Sequence, residues 1–221
     1  MDIIVLQMKT NFDTIKTKHI LWTGMGVAFV LVILSFVFSN IKTSYKQNVE
    51  DYRRQRNDFF RHSPFSPIED KEAFTTLNYF IPNVKYKVEA ELYPLSDSSE
   101  ITITRNDGRK DTYKKFATAS FTLEKKPLQL TLLISKDSSN NELNAFIPFS
   151  DKTNGGETYS GGRYLDLKIT DKKHAVIDFN FAYNPFCVYS YKYSCPLPPP
   201  ENHLDIEIRA GEKIWEKPQE K

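Results

Sequence analysis

Residues 151–202 contain the side chains whose types and spacing best suit ligand binding. Four of the eight glycines lie there in two pairs, Gly155–Gly156 and Gly161–Gly162, and five of the twelve prolines lie in the same stretch. Paired glycines allow positive φ and a close approach of the backbone, and prolines stiffen a loop. Two loops of this kind, at 155–163 and 178–202, can hold polar groups in fixed positions around a small molecule.

The polar groups themselves come from a predicted strand and from the flanking loops. Ile177, Phe179 and Phe181 alternate with Asp178 and Asn180, so the two polar side chains share a face and need partners if they are buried. Arginine can hold a carboxylate through two parallel hydrogen bonds. The sequence therefore predicts a site that orients an anionic or polar ligand, although the same residues could instead form a structural network that pins the loops. Besides Asp178 and Asn180, the candidate ligand-binding residues are Arg163, Tyr159, Tyr164 and Tyr183.

The two cysteines, Cys187 and Cys195, close a loop of nine residues. A disulfide there would stabilise the fold by about 2.5 kcal/mol in the chain-entropy model. Two free thiols are the alternative, as is a metal site that includes His174 and His203, but structural zinc sites use four ligands in closely spaced pairs. We predict a disulfide and no metal.

Motifs for catalysis and for cofactors are absent from the sequence. Ser160 follows Thr-Tyr and precedes Gly-Gly, which is not the nucleophile elbow, and the chain has no P-loop, dinucleotide fingerprint or zinc-protease motif. Glu157 and Asp178 could serve as an acid/base pair of a hydrolase, as paired carboxylates do in carbohydrate cleavage. We prefer a non-catalytic binding or interaction domain without a cofactor, and the hydrolase is the alternative.

The elements that must position these residues are β-strands. Apolar and polar residues alternate with a period of two, and Asn106-Asp107-Gly108 is a strong hairpin signal because such turns need positive φ. No amphipathic helix separates the strands, so the pattern predicts a mainly β domain, an antiparallel barrel or sandwich of about eight strands. The predicted strands are 84–93, 100–104, 110–124, 127–135, 143–149, 163–169, 174–181 and 203–209.

An uncharged apolar run precedes this domain at residues 20–38. As a helix it would reach about 28 Å, close to the thickness of the hydrocarbon core of a bilayer. A cleaved signal peptide is the alternative, but its apolar region is normally shorter. The basic residues on the two sides of the run balance, so orientation rests on the predicted disulfide, which indicates an oxidising compartment. We predict a single-pass inner-membrane protein with a periplasmic C-terminal domain.

A helical stalk is predicted at residues 39–63, between the anchor and the β domain. Ile41, Tyr45, Val49 and Tyr52 form one helical stripe, and the proline after Ser63 ends the helix. The segment either lifts the domain from the membrane or docks on its own domain. The predicted organisation is an N-terminal tail at 1–19, the anchor at 20–38, the stalk at 39–63, the β-rich domain at 64–215 and a C-terminal tail at 216–221.

The net charge of the whole chain is only +2. A nearly neutral domain lacks the basic surface that nucleic-acid binding needs. The expected partners are therefore the lipid bilayer, through residues 20–38, and a protein or a small polar ligand at the β domain, with no nucleic acid.

The sequence closely resembles a bacterial family known as domain of unknown function 1684. The resemblance covers roughly residues 50–215 and is carried by the runs GGETYSGGRYLDL, DFNFAYNPFC, CPLPPPENHL and IRAGEK. It implies a β-rich domain, often behind a signal peptide or anchor, and no established activity. The chain departs from the family pattern at Phe186, where a proline is usual. The residues that the resemblance marks are Glu157, Tyr159, Arg163, Tyr164, Asp178, Asn180, Tyr183, Asn184, Cys187, Cys195, Glu201 and Asn202, which adds Asn184 to the candidate ligand-binding residues.

Overall fold

The computed structural model of the chain describes residues 2–96, 99–135 and 144–216, with the side chains of residues 2–28, 38, 40 and 42 left out. The C-terminal tail predicted at 216–221 lies outside the described residues from residue 217 onward. The chain divides into two compact units, Met1–Gln47 and Asn48–Lys221.

One long helix, α1, runs from Asp2 to His62. It ends where Ser63 precedes Pro64, as predicted, because proline disfavours the helical conformation in the residue before it. The predicted anchor at 20–38 is helical, but the side chains of residues 20–28 and of Phe38 lie outside the described residues. Within the part of the chain that the structure describes, no helix is both long enough and apolar enough to cross a membrane.

The last four turns of α1, from Asn48 onward, pack against the β-rich part of their own unit. Val49 and Phe60 are completely buried, and Phe60 lies in a second apolar cluster away from the main core. Of the two alternatives for the segment 39–63, residues 48–62 therefore follow the docked one. The other buried members of this cluster are Ile68, Phe74, Leu77 and Tyr189.

Eight strands form an antiparallel sheet that curls into a half-barrel, which confirms the mainly β prediction. The order of its strands is β6-β5-β4-β3-β1-β7, with β2 paired to β3, and with β8 as a short parallel partner of β5. Four 3-10 helices lie at Val84–Tyr86, Phe179–Phe181, Phe186–Val188 and Pro200–Asn202. The strands are β1 Lys87–Pro94, β2 Glu100–Thr104, β3 Lys110–Leu123, β4 Lys126–Ser135, β5 Asn144–Asp151, β6 Arg163–Lys168, β7 His174–Asp178 and β8 His203–Leu204.

The apolar residues whose alternation predicted the strands are the residues that fill the core. In β1, Val88, Ala90 and Leu92 are buried while their neighbours are exposed. Burial of one face of each strand supplies most of the stabilisation of such a sheet, at about 25 cal/mol per Å² of apolar surface. The core also takes Ala117, Ala119, Phe121, Leu130, Leu132, Ile147, Phe149, Leu165, Ile177 and Phe179 from the other elements.

Two hairpin turns set the register of the long strands. The predicted turn before β3 is confirmed: Gly108 has a φ of +85°, and its N–H donates to the carbonyl of Arg105 at 3.0 Å. Between β3 and β4, Glu124 and Lys125 both have positive φ, 51° and 65°, as a two-residue turn that follows the twist of the strands requires.

The strand predicted at 84–93 begins at Lys87, because Asn83 caps a 3-10 helix at Val84–Tyr86. Two further predicted strands end earlier than expected, and hydrogen bonding explains both differences. The strand predicted at 174–181 ends at Asp178, whose carboxylate caps the 3-10 helix that follows. Residues 203–209 do bury Leu204, Ile206 and Ile208 on one face, as predicted, but the regular strand ends at Leu204. Beyond it, the Ile206 carbonyl still accepts from the Lys152 N–H, but the N–H and the carbonyl of Ile208 bond to the side chains of Asp151 and Arg163, so the ladder does not continue.

A side chain joins β4 to β5 near the middle of the sheet. Among the described residues these two strands share one paired position, Leu133 with Phe146. Nearby, the completely buried Asn202 donates from Nδ2 to the carbonyls of Thr131, at 3.0 Å, and Pro148, at 2.8 Å. Its Oδ1 accepts from the Thr131 N–H at 2.7 Å. The amide therefore takes the place of backbone pairing where the two strands diverge.

Candidate functional site

Arg163, the predicted anion-binding residue, is completely buried at the start of β6. Gly162 places it there: its φ is +84°, and an added Cβ would lie 2.6 Å from the carbonyl oxygen of Phe149. Burial lowers the pKa of Arg163, and the charge of Asp151 opposes this. The guanidinium is thus part of the interior of the domain.

The partner of Arg163 is Asp151, which sequence reasoning did not consider. Nη2 donates to Asp151 Oδ2 at 2.9 Å and to the Ile208 carbonyl at 2.8 Å, while Nη1 donates to the carbonyls of Ala210 and Glu212. The other carboxylate oxygen of Asp151 accepts from the N–H and hydroxyl of Thr153 and from the Ile208 N–H. Both side chains have 0% exposure, so this pair fixes residues 208–212 in place of a β-ladder.

Asp178 and Asn180 lie together, as expected, and hold a loop. Asp178 Oδ1 accepts from both the backbone N–H and the side-chain amide of Asn180, at 3.0 and 2.9 Å. Asn180 in turn exchanges two hydrogen bonds with the backbone of Asn83, both at 2.9 Å. These two residues therefore join the start of β1 to the end of β7, and the partner of Asp178 is Asn180 where Arg163 was expected.

Tyr164 and Tyr183 face each other across an isolated bridge. Their rings meet edge to face with centroids 5.8 Å apart, and burial raises the pKa of each hydroxyl. Tyr164 donates to the carbonyl of Pro196 at 2.5 Å, and Tyr183 donates to Asp166 Oδ2 at 2.7 Å. The pair connects β6 to two points of the 178–202 loop.

The two carboxylates of the alternative hydrolase belong to different clusters. Glu157 is paired with Arg209 Nε at 2.6 Å on the surface, whereas Asp178 caps the 3-10 helix that follows β7. Tyr159 lies beside the cysteines, with its hydroxyl 4.0 Å from Cys187 Sγ, and burial raises its pKa to about 12.

Cys187 and Cys195 are free thiols in the structure, so the predicted disulfide is not formed. They are nevertheless neighbours: the Cys187 N–H donates to Cys195 Sγ at 3.2 Å. Cys195 is held from outside the loop, because it exchanges backbone and side-chain hydrogen bonds with Asn106. Loop closure thus needs no covalent link. The hydrogen bond between the thiols lowers the pKa of Cys195 to about 7 and raises that of Cys187.

The most perturbed acidic group is Glu212, which sequence reasoning did not single out. It is completely buried, and burial raises its pKa to about 7, opposed in part by Arg56 and by the Asn184 N–H. The Asn184 N–H donates to Oε2 at 3.1 Å, and the Tyr189 hydroxyl donates to Oε1. Gly211 places this carboxylate, because its φ is +74° and an added Cβ would lie 2.6 Å from the Ala182 carbonyl oxygen.

Arg56, from the docked end of α1, faces Glu212. Its Nη2 lies 3.5 Å from Glu212 Oε2, and its guanidinium carbon lies 4.8 Å from the centre of the Tyr183 ring and 5.3 Å from that of Phe60. The Nε and Nη2 atoms of Arg56 are buried and have no hydrogen-bond partner among the described residues, as is also true of the Tyr79 hydroxyl. We refer to Glu212, Tyr79, Tyr183 and Tyr189 as the Glu212 pocket.

Of the predicted residues, Tyr183 is part of the Glu212 pocket and Asn184 donates to its carboxylate. Arg163 donates to the backbone carbonyl of Glu212. Glu212 lies in the run IRAGEK that carried the family resemblance, which is the one signal that could have marked it. Nothing local in the sequence pairs it with Arg56.

A groove with a volume of about 880 Å³ lies elsewhere, over β1, β3 and β7. The exposed residues Glu89 and Glu91 contribute its acidic side, and Ala175 and Val176 contribute apolar surface. None of the described residues that line it is lysine or arginine. The rest of the lining is Ala90, Ser120, Phe121, Thr122, Pro127, Thr170 and His174.

The groove lies where two strands separate. β1 and β3 pair up to Glu91 and Ser120, beyond which β1 continues along β7 and β3 continues along β4. The strands are joined again by the ion pair of Lys85 with Glu124, at 2.9 Å. The described residues contain no cluster of three His, Cys, Asp or Glu side chains that could hold a metal ion.

The chain is similar to a solved structure of an uncharacterized protein and to a family of unknown function. An uncharacterized protein of Haloarcula marismortui, solved by NMR in solution, is 33% identical, with a TM-score of 0.61 over 79% of this chain and 96% of that one. No curated protein matches the chain. Residues 72–213 match the family model described as protein of unknown function, DUF1684. This range contains Arg163 and Glu212 and ends one residue after Glu212, and the chain belongs to the DUF1684 family.

Proposed function

We propose that this chain is a membrane-anchored binding domain whose groove over β1, β3 and β7 takes a small organic cation. The observation that carries the proposal is the charge of the groove: Glu89 and Glu91 line it, and none of its described residues is a lysine or an arginine that could balance them. His174, the remaining titratable residue of the lining, lies 3.4 Å from Asp171.

The size and the composition of the groove suit a small molecule. Its volume of about 880 Å³ lies within the range of roughly 300–1,000 Å³ that is typical of ligand pockets. Val176, which is 44% exposed, and the partly exposed Ala175 offer apolar surface to a hydrocarbon chain, since Ala90 and Phe121 are almost completely buried. The hydroxyls of Ser120 and Thr122 offer hydrogen bonds. The two ends, where β1 and β3 are joined, limit the length of a ligand.

The spacing of the two carboxylates indicates a diamine. Glu89 and Glu91 are two residues apart on one strand and share its exposed face, so their Cα atoms lie roughly 6.5–7 Å apart. A molecule with an ammonium group at each end of a short alkyl chain can meet both carboxylates. Such pairing at a partly exposed site is salt-dependent.

Calorimetric titration of the full-length protein with 1,4-diaminobutane tests the ligand class. We expect binding that weakens with salt and that falls at least tenfold in the double variant Glu89→Gln/Glu91→Gln. The variant Glu72→Gln, which changes an exposed carboxylate outside the groove, is the matched control and should bind as the unchanged protein does. Equal affinity in the double variant, or no binding at millimolar concentrations, would contradict the proposal.

The anchor is supported by exposed apolar side chains within α1. Phe29, Leu31, Val32 and Phe36 are each at least 60% exposed, in a run without a charged residue. Large contiguous apolar surfaces are rare on soluble monomers. Exposure of this run is what a helix that meets lipid requires, and the length of the apolar segment 20–38 supplies the span.

Fractionation of expressing cells tests the anchor and its orientation. We expect the full-length chain to stay with the membranes through an alkaline wash, and the variant Val32→Lys/Leu34→Lys to be released. Placement of the domain outside the cytoplasm stays a prediction, which labelling of Cys187 and Cys195 by a membrane-impermeant thiol reagent on intact cells would test. Release of the full-length chain by the alkaline wash would contradict the anchor. Labelling of the cysteines only after cell lysis would contradict the orientation.

A further inference from the structure

We propose that the Glu212 pocket is a guanidinium-binding site of the β domain, and that Arg56 of α1 occupies it within the same chain. The pocket is separate from the groove over β1, β3 and β7, so the two proposals can fail independently.

The first support is the chemistry of the pocket wall. Glu212 supplies a carboxylate with no exposure to solvent, held by the Tyr189 hydroxyl and the Asn184 N–H. Tyr183 supplies a ring whose face lies against the guanidinium of Arg56, 4.8 Å from the ring centre. A buried carboxylate combined with aromatic faces is the environment that a guanidinium prefers, because its planar charge is weakly hydrated and stacks on rings.

The second support is that Arg56 fills this site incompletely. The closest approach of its guanidinium to Glu212 is 3.5 Å, without the two parallel hydrogen bonds that arginine and a carboxylate can form. Its Nε and Nη2 are buried without a hydrogen bond of good geometry among the described residues. The Tyr79 hydroxyl lies close enough to interact with this guanidinium but also lacks a well-formed bond. Buried donors of this kind cost about 1–3 kcal/mol each, so a better-placed guanidinium has donors and acceptors to satisfy.

The third support is the origin of Arg56. The pocket is built from segments at 79, 183–189 and 212 of the β domain, whereas Arg56 comes from the helix docked on them. The carboxylate is fixed by its own domain, since the Glu212 N–H donates to the Ala182 carbonyl at 2.8 Å and Tyr79 and Glu212 form a backbone bridge. The pocket therefore does not need Arg56 for its backbone framework.

The ligand class that follows is a guanidinium group, either of a small molecule or of an arginine side chain on another protein. A primary ammonium is a compact, strongly hydrated charge that matches the flat space between the carboxylate and the rings less well. Access to the site requires Arg56 to leave it.

Rescue of a truncated side chain tests the proposal. The full-length variant Arg56→Ala is studied in detergent micelles. It also carries Trp22→Phe, so that Trp215 is the fluorescence reporter. The rings of Trp215 and Tyr189 lie 5.3 Å apart, centre to centre. We expect N-ethylguanidinium at up to ~20 mM to raise the melting temperature of the variant saturably by roughly 2–4 °C. Ethylammonium should give no such rise, and neither should the protein that retains Arg56, whose pocket is filled.

The matched control is Arg56→Ala/Glu212→Gln, which keeps the cavity and removes the carboxylate; it should lose the response. If Arg56→Ala does not fold by itself, the readout is its refolding in N-ethylguanidinium, which ethylammonium at the same concentration should not support. A blocked Gly-Arg-Gly peptide distinguishes the two sources, since a response to it assigns the site to an arginine side chain. No response to N-ethylguanidinium, an equal response to ethylammonium, or an unchanged response in the double variant would overturn the proposal.

Discussion

Among the described residues, two completely buried carboxylates, Asp151 and Glu212, are each paired with an arginine, and the two pairs differ in how completely their hydrogen bonds are made. In the pair of Arg163 with Asp151, both Nη atoms of the arginine are fully used and both carboxylate oxygens accept bonds. Among the described residues, the buried Nε is the one nitrogen of this guanidinium without a partner. In the pair of Arg56 with Glu212, the charges are 3.5 Å apart and two arginine nitrogens are buried without hydrogen-bond partners among the described residues.

This difference separates a structural role from a site. A buried ion pair stabilises a fold only when additional hydrogen bonds satisfy both charges. Arg163 and Asp151 meet that condition and replace a strand ladder for residues 208–212. Arg56 and Glu212 do not meet it, and the pKa of Glu212, raised by burial to about 7, reflects the same deficit.

Substitution of Arg163 should have the largest effect on stability and is therefore the strongest test of the difference between the two pairs. Arg163→Met should lower the free energy of unfolding by about 3–5 kcal/mol, because it leaves the Asp151 charge buried and three backbone carbonyls without a donor. Urea denaturation measures this loss. Arg209→Met, at an exposed ion pair, is the control, and a loss below about 1 kcal/mol for Arg163→Met would show that the network is not structural.

The glycine before Glu212 should be the next most sensitive position. Gly211→Ala should cost roughly 2–3 kcal/mol, since its φ is +74° and the new Cβ would lie 2.6 Å from a carbonyl oxygen. Gly108→Ala is the matched control: its φ is +85° but nothing lies within 4 Å of the added Cβ, so it should lose less. Thermal unfolding of both variants decides the point, and equal losses would contradict the role of close packing.

Acidity should affect the two pairs differently. The pKa of Glu212 is raised from 4.5 to about 7, so in this range the folded chain holds a proton that the unfolded chain releases. The contribution of Glu212 to stability is therefore present below pH 4.5 and lost as pH rises through 7. Between pH 5 and pH 8 the unchanged protein should lose roughly 1–2 kcal/mol more than Glu212→Gln, measured by denaturation at each pH. If stability depended on pH in the same way in both proteins, the proposed titration of Glu212 would be refuted.

Removal of Arg56 should cost less than removal of Arg163. Arg56→Met should lower stability by about 1 kcal/mol at pH 6, because Glu212, with a pKa of about 7, is mostly protonated there and leaves little unpaired charge when Arg56 is removed. The same variant should lose more at pH 8. A loss as large as that of Arg163→Met at pH 6 would place both pairs in the same class.

The exposed pair of Glu157 with Arg209 should show the smallest effect. Both side chains are at least 40% exposed, so Glu157→Gln should change the free energy of unfolding by less than about 0.5 kcal/mol. Chemical denaturation compares it with the two buried pairs. A larger loss of stability would mean that the Glu157 carboxylate contributes more to folding than an exposed ion pair does.

Much of the fold could be predicted from the sequence because burial in a sheet depends on local alternation. The strand positions, the turn at Gly108 and the end of α1 before Pro64 all follow from neighbouring residues. Residues 204–208 show the limit: the burial of alternate side chains was predictable, but the backbone bonds to Asp151 and Arg163 depend on which segments meet in space.

The sites were harder to predict because their partners lie far apart in the chain. Arg163 was expected to meet Asp178, but β5 pairs with β6 so that Phe149 lies opposite Arg163, which brings Asp151 within reach. The hairpin of β5 and β6, with Asp151 at the end of one strand and Arg163 at the start of the next, is the sequence pattern that could have predicted this ion pair. No such local signal links Arg56 to Glu212, or Glu89 to the separation of two strands.

The side chain of Asn202 has a consequence for which amino acids this fold can accept. Its amide acts as a detached peptide group between β4 and β5, offering a donor to two carbonyls and an acceptor to one N–H. Aspartate has the same shape but only acceptors when ionised, and leucine has neither kind of group. Asparagine supplies both, so one amide in a proline-rich loop holds β4 and β5 together where their backbones diverge.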